Sequence, residues 1–167
     1  DGFLSRPWPV VGPVDRAAFV GSLVDDLPYD LLEAHGKIWQ RVLAHLVLGR
    51  HERAAWRRMS VPETRRTEWL LGRVAAKDAV RRFVNDHGGI ALSAADIEIA
   101  QDEYGRPFVQ GAWAKALAQT PLISLAHSDG VAVAVACADG ECRGVGIDVE
   151  RVAPRPEGFE NAAFSPA

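Results

Sequence analysis

Cysteine and methionine are nearly absent from this chain of 167 residues, which has two of the first and one of the second. Cys137 and Cys142 have no further Cys to complete a metal set, and their four-residue spacer alone is a weak signal. They read as reduced thiols of a cytoplasmic protein. No apolar run approaches the roughly 18 residues of a membrane-spanning helix. The start, Asp1-Gly2-Phe3-Leu4, lacks a basic region followed by an apolar block, so no signal peptide is expected. It also lacks an initiator Met, and the chain is expected to be cut from something longer. The formal net charge of −3 gives no global signal for nucleic acid or an anionic membrane. There is no simple repeat and no Gly-x-Ser-x-Gly elbow.

Apolar residues make up 48% of the chain, enough for a buried core. Charge is concentrated locally. Residues 50–82 hold ten of the nineteen Lys and Arg against four acids, Glu52, Glu63, Glu68 and Asp78. Such a run is either a solvated helix face or a site for a small polyanion.

Residues 1–13, with Pro7, Pro9 and Pro13, read as an extended lead-in. A helix is expected over 15–26, with Asp15 as cap and Pro28 as stop. A second helical stretch over 30–58 is expected to break near Gly36 and Gly49. Its broad buried face would carry Ile38, Val42 and Leu46 together with Trp39, Leu43 and Val47. Ser60-Val61-Pro62-Glu63 has a capping serine, a first-turn proline and a glutamate three residues after the cap. A long helix should follow to about 86, stopped by His87-Gly88-Gly89. The period then changes. Ile97-Glu98-Ile99 alternates as a strand, Tyr104-Gly105-Arg106-Pro107 is a turn, and two strands flank Asp129-Gly130 as a hairpin. Gly144 to Glu150 reads as a further strand, Pro154, Pro156 and Gly158 mark a loop, and a new element is expected from Phe164. Helices followed by a long helix and a small, mostly antiparallel sheet make an α+β fold.

Three groups of residues can carry chemistry. In Gly146-Ile147-Asp148-Val149-Glu150, residues two apart on a strand share a face, so Asp148 and Glu150 project together. Two carboxylates on one face suit a hard cation such as Mg²⁺ with substrate phosphate and water, although an edge strand with two solvated acids has the same pattern. In Ser124-Leu125-Ala126-His127-Ser128, a hydrolase triad with Asp148 is conceivable, but Ser124 and His127 are three apart on a strand and should face opposite sides. A turn histidine with no further role is the plain alternative. On the long helix, Arg66, Arg73 and Lys77 are seven and then four residues apart and form one cationic stripe. Arg106 adds a cation on a turn. Four cations suit a ligand with several phosphates, although surface ion pairs would look alike.

The order of these motifs resembles the 4′-phosphopantetheinyl transferases. They are a Glu68-Trp69-Leu70-Leu71-Gly72-Arg73-x-Ala75-Ala76-Lys77-Asp78-Ala79 helix, Gly105-Arg106-Pro107, Ser124 to Ser128, and Gly146-x-Asp148-x-Glu150. The likeness is to the larger, surfactin-synthetase-activator type, built of two similar α+β halves. It covers about residues 60–167, read as the N-terminal half of such a domain with the second half missing. Residues 1–59 would be a helical extension or fusion junction, similar to that before transferases at the C-terminus of polyketide synthases.

The resemblance implies Mg²⁺-dependent transfer of the phosphopantetheine arm of coenzyme A, the substrate, to a serine of an acyl carrier protein. It implies Asp148 and Glu150 as catalytic metal ligands. It implies Arg66, Arg73, Lys77, Arg106, His127 and Ser128 around the coenzyme A phosphates. Arg106 stands where the family usually has Lys, and Ala126 where many relatives have Ser. The family's Trp-x-x-Lys-Glu-Ala helix does not follow Glu150; Arg73-Val74-Ala75-Ala76-Lys77-Asp78-Ala79 resembles it distantly and precedes the Asp-x-Glu strand. A coenzyme A or carrier-binding half-domain without catalysis is the alternative expectation.

Overall fold

The computed structural model describes residues 2–8, 19–27, 29–138, 140, 142 and 144–154. The elements run β1 (Arg6–Trp8), β2 (Val20–Val24), α1 (Tyr29–Glu33), α2 (Ile38–Val47), α3 (Arg50–Arg58), α4 (Glu63–Gly88), β3 (Glu98–Gln101), β4 (Pro107–Gln110), β5 (Leu122–Ser128) and β6 (Val131–Cys137). Short 3₁₀ turns precede α2, β3 and β5. One antiparallel sheet has the strand order β1-β2-β6-β5, and β3 and β4 pair separately.

The long helix α4 is the spine. From Leu70 to Val80 every residue is buried, because the sheet covers one side and α2, with Glu52 and Trp56 of α3, the other. A helix covered on both sides must be apolar or small nearly all round, which is how Leu70-Leu71-Gly72 and Val74-Ala75-Ala76 read. Ala132, Ala134 and Ala136 of β6 join the same core, so small side chains on strand and helix let the two backbones approach. The helix ends where Gly89 takes a left-handed φ of 62° and its N–H donates to the Asn85 carbonyl. The β5–β6 turn has positive φ at both Asp129 and Gly130, the two-residue geometry that matches strand twist.

Several expectations from sequence are corrected. Residues 20–24 are a strand, not part of a helix: the short run Val20 to Val24 fits either period, and pairing with β6 decides it. Asp15 and Pro28 lie outside the described residues, as do residues 155–167 and the element expected there. The first strands share a sheet with β5 and β6, so the boundary drawn at residue 59 separates segments that fold together. The helical stretch does break at Gly36 and Gly49. Its buried face, however, is Gln40, Leu43, Ala44 and Val47; Ile38, Trp39, Val42 and Leu46 are exposed. A helix resting on α4 by one stripe cannot bury two. Ser60 does not cap α4, because the helix starts after Pro62 and Ser60 lies two residues upstream of that. Residues 144–150 are extended, but among the described residues they join no ladder. Their amide contact with the sheet is Ile147 N–H to Ser124 Oγ, 3.2 Å, a side chain in place of a backbone edge.

Candidate functional site

Asp148 and Glu150 lie on the extended segment beside β5. Exposure alternates along it: Gly146, Asp148 and Glu150 face out, while Val145, Ile147 and Val149 are half-buried. The two carboxylates therefore share a side without a strand to hold them. Asp148 Oδ1 accepts the Val149 N–H at 2.9 Å. Glu150 lines a cleft of about 260 Å³ with Ser128, Asp129 and Arg151. Among the described residues, no three His, Cys, Asp or Glu side chains gather closely enough to enclose a metal. A pair of exposed hard-oxygen donors fits an ion that keeps water and substrate oxygens in its shell, as Mg²⁺ does, better than one needing a full protein cage.

His127, near the end of β5, faces α4. Its Nδ1 is buried without a hydrogen-bond partner, and Glu68 Oε2 approaches to 3.8 Å, beyond hydrogen-bond range. Gly72 makes this possible. A Cβ there would lie 3.0 Å from Leu125 Cδ1 and 3.3 Å from His127 Cδ2. A mid-helix glycine costs about 1 kcal/mol relative to alanine, and close packing is the usual compensation.

The cationic stripe on α4 exists, but α3 covers most of it. Lys77 is fully enclosed; its Nζ donates to the Val47 carbonyl at 2.8 Å and to Glu52. Arg73 is also buried, with Nε 3.4 Å from Glu52 Oε1 and its guanidinium 4.3 Å from the Trp69 ring centre. Glu52 further accepts the N–H groups of Gly49 and Ile99, each at 3.1 Å. Burial pushes the pKa values of Arg73 and Lys77 down, and Glu52 opposes that in both. Two cations sharing one carboxylate leave a buried positive charge of about one unit, and Arg73, not Lys77, is nearer solvent.

Arg66 is separate. Its Nη2 donates to the Met59 carbonyl at 2.7 Å, and it meets Glu63 at 3.4 Å. Arg106 stays within its own hairpin, bonded to Asp102 at 2.7 Å and lying over Tyr104. The structure thus brings Ser128 to the cleft that Glu150 lines, turns His127 toward Glu68 and Gly72 of α4, encloses Arg73 and Lys77, and leaves Arg66 and Arg106 bonded elsewhere. Sequence reasoning passed over Glu52, Glu68 and Gly72. Only Gly72 carried a signal, as a glycine inside a helical pattern.

No protein-family model matches the chain. It is 36% identical over 104 residues to a holo-[acyl-carrier-protein] synthase of Geobacillus kaustophilus, a match spanning 62% of this chain and 73% of that protein. In fold it is similar to the holo-ACP-synthase of Plasmodium yoelii, with a TM-score of 0.55 and 20% identity over 71% of this chain and 91% of that one. A complex of ACPS with CoA from Chronobacterium ammoniagenes gives a TM-score of 0.51 and 22% identity over 74% and 96% of the two chains.

Proposed function

The chain belongs to the holo-[acyl-carrier-protein] synthase family, and on that premise we propose that it carries part of the site that moves the 4′-phosphopantetheine arm of coenzyme A to a serine of an acyl carrier protein. The observation that carries this reading is the 36% identity over 104 residues. In the reaction, the carrier serine oxygen forms a bond to the β-phosphorus of coenzyme A. The bond from that phosphorus to the bridging oxygen breaks, the serine proton passes to base, and 3′,5′-ADP leaves.

Asp148 and Glu150 would hold Mg²⁺, which when bound supplies charge neutralisation at the pyrophosphate oxygens. Ser128, which lines Glu150's cleft, would bind phosphate oxygens of the same ligand, and His127, which faces Glu68, would do so from the α4 side. Arg73 would add positive potential from behind, with Lys77 acting only through Glu52, because it is enclosed. Arg66 and Arg106 would take part only after leaving Glu63 and Asp102. The Lys-Asp-Ala helix preceding the Asp-x-Glu segment supports reading the chain as the first half of a surfactin-activator-type transferase, within a polyketide synthase in the fullest form of the reading. The scarcity of cysteine, two in 167 residues, supports a cytoplasmic setting. Among the described residues, no helix is long and apolar enough to cross a membrane.

The test is transfer of a labelled pantetheine arm to an apo-acyl carrier protein with Mg²⁺ by the complete enzyme. Asp148→Ala is expected to abolish it, and near-normal turnover would remove the metal assignment. Residues 1–167 alone are expected to transfer little; robust labelling would overturn the two-halves reading while leaving the activity intact. The enclosure of Arg73 and Lys77 by Glu52 favours a second reading, a binding half-domain without catalysis. Calorimetric coenzyme A binding with no turnover in the complete enzyme would establish it.

A further inference from the structure

A second concentration of positive charge lies away from His127, Asp148 and Glu150 and includes Arg66. The cleft between α2, α3 and the first turn of α4 encloses about 620 Å³. Lys37, Arg41, Arg53, Arg57, Arg66 and His45 line it, and Glu63 is its one acidic residue among those described. Glu63 is already held by Lys37 at 3.0 Å and Arg66 at 3.4 Å. Arg53 is turned to His45, 3.1 Å from its Nδ1. Arg41 and Arg57 are exposed and make no hydrogen bond or ion pair among the described residues.

The cleft also holds buried donors that lack acceptors. Trp56, only 6% exposed, has no partner for its indole Nε1–H, and the Nε–H of Arg66 likewise has none. Buried donors without acceptors are rare and ask for an explanation. Here two unpaired guanidinium forks and a surplus of cations face one concave space, and the two orphan N–H donors lie beneath its surface on lining residues. A ligand rich in oxygen acceptors and carrying several negative charges satisfies all of them, and Arg grips phosphate oxygens two at a time.

We propose that this cleft binds a small, multiply charged anion of the pyrophosphate class, with Arg41 and Arg57 as its grips and Trp56 and Arg66 donating from the floor. This goes beyond the transfer reading, with which it shares only Arg66; Arg73, His127, Asp148 and Glu150 do not line the cleft.

Calorimetric titration of the protein with inorganic pyrophosphate at low ionic strength tests the proposal. One site is expected, weakened about tenfold or more in Arg41→Gln/Arg57→Gln, which removes two charge-assisted contacts. Trp56→Phe, which keeps the ring and deletes the donor, is expected to weaken it several-fold. Arg50→Gln/Arg58→Gln, which removes two exposed α3 cations outside the cleft, should leave it within about twofold. Absence of saturable binding overturns the proposal. So does equal weakening by the Arg50/Arg58 pair, which would mean diffuse attraction. Binding of a polyglutamate peptide but not pyrophosphate, lost on changing Arg41 and Arg57, would overturn it in favour of an acidic protein partner.

Discussion

Removing the Glu52 carboxylate should do more damage than removing either cation it holds. In Glu52→Ala, Arg73 and Lys77 lose their shared counter-charge while remaining buried, and the N–H groups of Gly49 and Ile99 lose their acceptor. Breaking a buried ion pair from one side costs about 3–5 kcal/mol. Each orphaned amide would add about 1 kcal/mol or more if water did not reach it. Entry of water into the vacated space offsets part of this, so about 4 kcal/mol is the working figure. For a chain of this size that lowers Tm by roughly 8–16 °C. Lys77→Met should cost less, because Glu52 keeps Arg73 and both amides. In Glu52→Ala/Lys77→Met one of the two stranded charges is gone, so the double variant should be more stable than the sum of singles by about 2 kcal/mol. Urea unfolding followed by circular dichroism at neutral pH measures all three. A cost for Glu52→Ala under about 1 kcal/mol, or strict additivity in the cycle, would refute the idea that this carboxylate holds α3 and β3 against α4.

Three further outcomes are expected. Gly72→Val should cost about 2 kcal/mol by overpacking and displace the His127 ring, visible as a shift in its NMR resonances; an unmoved ring would contradict the close approach. Asp78 Oδ2 accepts the N–H groups of Leu4 at 2.8 Å and Ser5 at 2.9 Å, so Asp78→Ala should speed amide exchange at those residues while α4 keeps its protection; unchanged exchange would refute the tether. Lys37 holds the Glu63 carboxyl below its ordinary value of 4.5, and for Glu98 the contacts with His51 outweigh the upward push of burial. Depressed folded values mean that the unfolded chain binds more protons, so this stabilisation is complete above about 4.5 and lost as pH falls through the folded values. Substituting Glu98 with Gln should flatten that acid limb in denaturant midpoints measured against pH; an unaltered limb would rule out its share.

The long helix, its glycine stop and the β5–β6 hairpin were legible in the sequence because each rests on local chemistry. Gly89 and Asp129-Gly130 supply backbone conformations that few other residues adopt readily, and Leu71, Ala75 and Ala79 recur at helical spacing. Segments with weak local preference were read less well. Val20 to Val24 fits a helix face or a strand about equally, and only the open edge of β6 settles the matter. Gly144 to Glu150 alternates as a strand does, yet alternation records which side chains are covered and not whether a neighbouring backbone offers hydrogen bonds.

The same division runs through the site. Sequence alone determined that Asp148 and Glu150 share a side, since an extended chain alternates whether or not it is paired, and that Arg66, Arg73 and Lys77 share a stripe, since helical spacing demands it. Which cations meet solvent was decided only by folding. Glu52, on a different helix, closes over Arg73 and Lys77, whereas Arg66 opens onto a cleft built by α2 and α3. Periodicity assigns a residue to a face of its own element; what packs against that face depends on the rest of the chain, because burial is a property of the assembled core.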